Sequence, residues 1–302
     1  MSREAHLAWE VGAQLGEGPV WVDRDKALWF TDIKQKKIHR FDPESAEGRS
    51  WDAPEQVGFI FPAKSGGFIA GLQSGLHRFD PKKGKFKLLV EVEPGSPENR
   101  LNDGVVDSKG RLWFGTMDDS EKSTTGAYYC FHRGKLMRTN LTSIAITNGP
   151  AVSPDSRILY WVDTLKGTIS ACEIWGEGQL GPSQLVVRIS PQEGHPDGPA
   201  VDSDGGIWIG LYGGPEVRRY STAGEVLERV RFPVSNVTKI AFGGSEHRTA
   251  FAPAARHLLN DEKLARQPLA GALFAFPVVV PGIPCPLVAV LGWIGLSRLS
   301  GR

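Results

Sequence analysis

Apolar residues run along this chain in short bursts that alternate with polar positions, and each burst is closed by a turn rich in Gly, Asp and Ser. Alternation at a period of two marks half-buried β-strands. A helical period is visible only in "LNDEKLARQ" (259–267), where a short helix is expected. The bursts recur as a unit. Gly18, Gly58, Gly104, Gly149 and Gly198 open five units, and a weaker sixth begins near Lys239, at steps of 40, 46, 45, 49 and 41 residues. After the glycine comes a short apolar strand, then a polar turn such as "DSKG" (107–110) or "DSDG" (202–205). An aromatic-rich strand follows, as in "RLWFGTM" (111–117) and "GIWIGLY" (206–212). A third strand such as "KIHRFD" (37–42) and a more polar fourth such as "FKLLVEV" (86–92) complete the unit.

Four strands at a period of 40–50 residues predict propeller blades. The fold expected is all-β, a six-bladed β-propeller with four-stranded blades around a central channel. It is read as one domain over 1–302, with blades over about 12–290 and an irregular tail at 291–302. "HLAWEV" (6–11) has strand character and is expected to supply the outer strand of the last blade, so that the ring closes without a free edge. Trp29, Trp113, Trp161 and Trp208 recur at one strand position and are expected to pack blade against blade.

Composition narrows the partners. With 36 glycines and 21 prolines, the chain is suited to many tight turns. Lys and Arg number 35 against 34 Asp and Glu, which argues against a nucleic-acid partner. Cys130, Cys172 and Cys285 are odd in number and widely spaced, which argues against a disulfide framework and a cysteine zinc site. Residues 268–297 carry no charge, but the prolines at 268, 277, 281, 284 and 286 would break a membrane-spanning helix repeatedly. The first residues show no apolar signal region. A cytoplasmic protein is expected, a monomer or weak homo-oligomer with no nucleic-acid or membrane partner.

The same phrase opens several units: "EGPVW" (17–21), "DGVVD" (103–107), "NGPAV" (148–152) and "DGPAV" (197–201). In a propeller the first strand of each blade lines the channel, so the slot before the glycine is a position on a ring. Glu17, Asp103, Asn148 and Asp197 are expected to converge on one mouth. Asp32, Met117, Asp118, Asp119, Asp163 and Tyr212, at the ends of second strands, fall on the same rim. Asp23, Asp107 and Asp202 sit in the opposite turns and are expected to be structural, and His195 is read as a rim or packing residue. Carboxylate and amide oxygens without His or Cys suit a hard divalent cation.

"GEGPVW" (16–21), "RLNDGVVDSKGRLWFGTM" (100–117), "TNGPAVSPD" (147–155), "HPDGPAVDSDGGIWIGLYGG" (195–214) and "NVTKIAFGG" (236–244) together resemble the SMP-30/gluconolactonase family of regucalcin-like proteins, from about Glu10 to about Phe276. The resemblance implies a six-bladed propeller and a metal-dependent lactonase acting on a sugar acid lactone. By matching position it implies Glu17, Asn148 and Asp197 as ligands of one divalent cation (Ca, Zn, Mn, Mg or Fe), and Asp197 also as general base. It implies that Arg100 and Asn102 contact substrate. It prefers Asn102 over Asp103, one of which should point away from the channel if the strand alternates. A substrate-contacting acid follows "GTM" in some members; Asp118, Asp119 and Glu121 all fit that place, and Asp119 is carried forward. Pro253 and Pro277 depart from the family's usual last blade. Two other readings stand beside the lactonase: a non-catalytic metal-binding or interaction propeller, and a phosphotriesterase-like hydrolase.

Overall fold

A computed structural model describes residues 3–290. Six sheets form a ring, each an antiparallel meander running from the channel outward. The innermost strands are Gly16–Val22, Val57–Pro62, Asn99–Val106, Thr147–Val152, His195–Val201 and Ala241–Gly243. This is the six-bladed β-propeller expected from the repeat. Blade six takes its outer strand from the N-terminus: His6–Trp9 pairs antiparallel with Leu273–Pro277. Arg3–Glu4 then adds a fifth strand to blade five, parallel to Val226–Arg231. The ring is therefore closed by residues from both ends of the chain, as "HLAWEV" suggested.

The expected helix forms at Asp261–Arg266, capped by Asn260, whose side chain accepts from the Lys263 N–H. It is the one α-helix among the described residues, and no helix there is long and apolar enough to cross a membrane. Pro253 and Pro277 sit at strand ends, paired with Leu273 and Thr249, so they leave the last blade's ladder intact. The tail expectation for 291–302 lies outside the described residues.

The glycine that opens each unit has a packing cause. A Cβ on Gly18 would lie 2.6 Å from the Gly58 carbonyl oxygen, and one on Gly58 would lie 2.3 Å from that of Asn102. The inner strands of blades one to three thus touch backbone to backbone, while Gly149 and Gly198 make room for the Pro199 ring and for the Lys239 and Asp103 side chains. Buried threonines tie the same strands together. Thr31 Oγ1 lies 3.1 and 3.2 Å from the carbonyls of Glu17 and Gly58, and Thr147 Oγ1 donates to Thr116 O at 2.9 Å.

The tryptophans fill the wedges between blades. Trp208 packs on Phe242 and Phe276 of blade six, and Trp29 lies 4.5 Å from Phe68 of blade two. On the face away from the ring slots, Asp107 and Asp202 hold the first turns of their blades. Asp202, fully buried, accepts from the Gly206 N–H, from Trp208 Nε1 at 2.7 Å and from Arg219 Nε at 2.7 Å. Asp107 does the same for Arg111 and Trp113, and Asp23 accepts from Trp21 Nε1. Asp107 and Asp202 are turn clamps, while Asp23 stands exposed at its strand's end. Cys130, Cys172 and Cys285 are free thiols.

A strap crosses that same face. The Gly282 N–H donates to His247 O, the Ser203 N–H to Pro281 O, and the Val288 N–H to Pro62 O. Between these anchors Ile283, Pro284, Cys285 and Pro286 roof an apolar cavity at the channel's far mouth. The site described below lies at the channel's other mouth.

Candidate active site

The open mouth is a pocket lined by Glu17, Arg100, Asn102, Asn148 and Asp197 at its floor. Met117, Glu121, Ile146, Leu165, His195, Tyr212, His257 and Leu258 form its wall. Its volume, about 780 Å³ with the opening included, falls in the range that takes a small molecule.

A shared backbone irregularity aims the floor residues. In blades one to five the pairing of the innermost strand with its neighbour slips at the slot before or at the unit's glycine, between Glu17 and Val20 and between Asn148 and Ala151, for example. A bulge of this kind splays the strand and re-aims its side chains. In blade three the slip lies between Leu101 and Gly104. Strict alternation therefore fails there, and the expectation that Asn102 or Asp103 points away from the channel is corrected. Both are buried in it, 5% and 0% exposed.

They do different work. Asn102 Nδ2 donates to Thr147 O at 2.7 Å and to Asn148 Oδ1 at 3.0 Å, while its Oδ1 accepts from Arg100 Nη1 at 2.5 Å. Asn148 Nδ2 donates to Thr164 Oγ1 at 2.9 Å, which fixes the amide so that its oxygen faces the pocket floor. Asp103 instead binds Lys239 Nζ at 2.7 and 2.8 Å and the Gly149 N–H at 2.9 Å. It spans the channel from blade three to blade six. Nothing in the ring pattern assigned Lys239 a role, yet it stands where the other units carry their glycine.

Glu17 and Asp197 are 3% and 4% exposed and lie within hydrogen-bonding reach of each other. Burial, and then the negative charges of Asp197 and Asp103, push the Glu17 carboxyl well above the usual carboxylate range. Burial also raises Asp197, to about 7, with the Asp103 charge adding to the rise and Lys239 opposing it. Asp197 Oδ1 is buried without a hydrogen-bond partner. A buried acceptor left unmatched is costly, and in a native site it points to a missing cation or water.

The three acids after "GTM" take different places. Asp118 is spent on its own loop, accepting from the Lys122 and Ser123 N–H groups and from Ser120 Oγ. Asp119 lies behind Arg100 and not on the pocket wall. It takes Arg100 Nε and Lys34 Nζ at 2.6 Å each and Gln56 Nε2 at 3.0 Å. Against the upward push of burial, the hydrogen bonds from Lys34 and Gln56 and the Arg100 charge hold Asp119 down to about 2. Glu121 is the acid that reaches the wall. Of the remaining rim residues, Met117 and Tyr212 line the pocket, whereas Asp32 and Asp163 cap loops. His257 and Leu258 were not foreseen. They come from the insertion between the second and third strands of blade six, where Tyr212 OH donates to His257 O at 2.7 Å.

Among the described residues no group of three or more His, Cys, Asp or Glu is placed to hold a metal ion. The candidate donor set is instead two carboxylates and an amide oxygen, from Glu17, Asp197 and Asn148. An unpartnered Asp197 oxygen and two mutually repelling carboxyls fit a hard divalent cation.

A closed six-bladed ring with an acidic pocket at one mouth of its channel defines the class. Residues 15–256 match the SMP-30/Gluconolactonase/LRE-like region, and the chain belongs to that family. It is 35% identical over 279 residues to a protein of Pseudomonas putida named 6-deoxy-6-sulfogluconolactonase, covering 91% of this chain and 95% of that one. It is 33% identical over 275 residues to an L-arabinolactonase of Azospirillum brasilense, covering 90% and 91%. The crystal structure of a calcium-binding protein, regucalcin, from Agrobacterium tumefaciens superposes with a TM-score of 0.91 at 26% identity, over 95% of this chain and 98% of that one.

Proposed function

We propose that this protein is a metal-dependent lactonase that opens a sugar acid lactone to the aldonic acid. The observation that carries the reading is the buried, unpartnered Asp197 Oδ1 beside Glu17, at the floor of a pocket that also presents Arg100 and Asn102. The relatives named as lactonases support the substrate class, and the calcium-binding relative supports a divalent cation. Glu17, Asn148 and Asp197 would hold the cation, which when bound supplies Lewis acidity toward a carbonyl oxygen.

The chain's own residues supply the rest. Asp197 accepts a proton from the attacking water as the new C–O bond forms at the lactone carbonyl. The same proton returns to the ring oxygen as the ester C–O bond breaks, leaving a hydroxy acid. Arg100, held by Asp119 through Nε, keeps Nη2 as a donor for the sugar's oxygens, while Asn102, whose two amide N–H groups are taken by Thr147 O and Asn148 Oδ1, offers its Oδ1 as an acceptor for a sugar hydroxyl, and together they orient the ring.

The test is a matrix of divalent ions against aldonolactones and a phosphotriester on metal-stripped protein. Lactone turnover restored by a divalent ion is expected. Phosphotriester turnover alone would replace the reading with the hydrolase of bulkier substrates. No turnover with any ion, in a protein that still binds metal, would make it a binding propeller.

A further inference from the structure

Lys239 crowds the channel. It is 6% exposed, and its ammonium meets three oxygens: Asp103 Oδ1 at 2.7 Å, Asp103 Oδ2 at 2.8 Å and Gly104 O at 3.0 Å. A Cβ on Gly198 would lie 2.7 Å from Lys239 Cδ and 2.8 Å from Asp103 Oδ2, so blade five also presses on the pair. The Lys239 side chain reaches up from the cavity at the far mouth, while Glu17 and Asp197 floor the open one. The pair thus separates the two cavities and lies next to the carboxyls of the site.

Three oxygens around a buried cation at these distances are what a small monovalent ion would accept. Charge counting gives the purpose. Glu17, Asp103 and Asp197 bring three negative charges into one channel, and Asp197 Oδ1 has no partner of its own. One divalent ion neutralises two of the three. The third is matched by the lysine. Arg100 does not serve, because Asp119 already engages it at the rim.

We propose that Lys239 is a resident counter-cation of the channel: it fills a monovalent cation position formed by Asp103 and Gly104, and so limits the neighbouring acid site to a single divalent ion. The proposal rests on the metal reading of Glu17, Asn148 and Asp197 for its second half only. The cation position itself stands on the Lys239–Asp103 geometry.

Two variants of the full chain test it. Lys239→Ala removes both the charge and the bulk and opens the position to solvent ions. Lys239→Met removes the charge and keeps the bulk. Melting temperatures are measured for metal-stripped protein in potassium, ammonium and choline chloride at equal ionic strength. Lys239→Ala should gain several degrees in potassium or ammonium over choline, an ion too large to enter. The parent and Lys239→Met should show no such difference. Calcium titration supplies the second readout: Lys239→Met should bind calcium at least tenfold more tightly than the parent, because a fixed positive charge beside the site has gone. Equal melting of Lys239→Ala in all three salts overturns the cation position. Should that variant fail to fold, calcium affinity in Lys239→Met no tighter than in the parent overturns the proposal on its own. If the parent binds no calcium or other divalent ion while Lys239→Ala still responds to potassium, the metal reading fails and the counter-cation stands.

Discussion

Asn102 donates its amide N–H to Asn148 Oδ1 at 3.0 Å, and so joins a residue that faces the substrate to one placed to face the cation. The two roles are mechanically linked. Asn102→Ala should lower kcat/KM by roughly 10- to 100-fold, the loss of a buried hydrogen bond worth roughly 1–3 kcal/mol. It should also loosen metal affinity a few-fold, since Asn148 loses one tether. Glu17→Gln should weaken metal binding far more, with activity returning in excess metal. Full rescue of Asn102→Ala by metal would place it among the ligands instead. Paired metal titrations and steady-state kinetics read this directly.

Asp197 and Asp202 are five positions apart in the chain and have opposite tasks. Asp197→Asn should abolish turnover and leave the melting temperature of chelated protein unchanged or higher, because it removes a repulsion with Glu17. Asp202→Asn should leave kcat of the folded protein intact and cost roughly 3 kcal/mol of stability, since Arg219 loses a buried partner. Comparable activity losses at equal melting temperature would sink the distinction between the two faces.

Metal should stabilise the ring. A ligand that binds only the folded state adds about 2.7 kcal/mol at a hundredfold excess over Kd, or a rise of a few degrees for a chain of this size. The rise should shrink sharply in Glu17→Gln and Asp197→Asn. Equal shifts in all three proteins would put the cation elsewhere.

Asp119→Asn is expected to act at a distance. It removes the charge that holds Arg100 and Lys34, so KM should rise several-fold with a smaller change in kcat. A loss confined to kcat would mean that Asp119 reaches the reacting atoms.

Acid should weaken the protein through His39. Burial lowers its pKa from 6.5 to about 4, and its ring sits against Trp9 and Phe30 with Nε2 unpartnered. Between those values the unfolded chain binds more protons at this residue, so the His39 contribution falls as pH drops from about 6.5 to about 4 and is level above, while the raised Glu17 and Asp197 contribute with the opposite sign in metal-free protein. At about 1.4 kcal/mol per unit the loss reaches about 3 kcal/mol. His39→Gln should flatten this limb of the melting-temperature profile against pH; an unchanged limb would assign it to carboxylates.

Much of this was legible in the residues. The repeat of Gly18, Gly58, Gly104, Gly149 and Gly198 reflects a steric demand at the inner strands, and steric demands leave a period in the sequence. Glu17, Asn148 and Asp197 inherit that period and were found with it. Asn102 and Asp103 were harder, because a bulge cancels the alternation that separates neighbours, and a bulge has no fixed residue signature. Lys239 carries an unlike residue at a repeated position, and its importance depends on Asp103, 136 positions away in the chain. His257 belongs to an insertion that the repeat does not describe, so no period could locate it.

The pairing of His6–Trp9 with Leu273–Pro277 has a consequence for biosynthesis. During synthesis the strands of blades one to five emerge in order, each able to form its meander from local contacts. The closing sheet cannot form until its third strand, Leu273–Pro277, leaves the ribosome. Until then blade six has no complete sheet and His6–Trp9 has no partner, and bare strand edges recruit other chains. Nascent protein should therefore be most prone to aggregate in the interval before that strand emerges. Shortening the N-terminus by its first nine residues should prolong that hazard indefinitely while leaving every residue of the pocket in place.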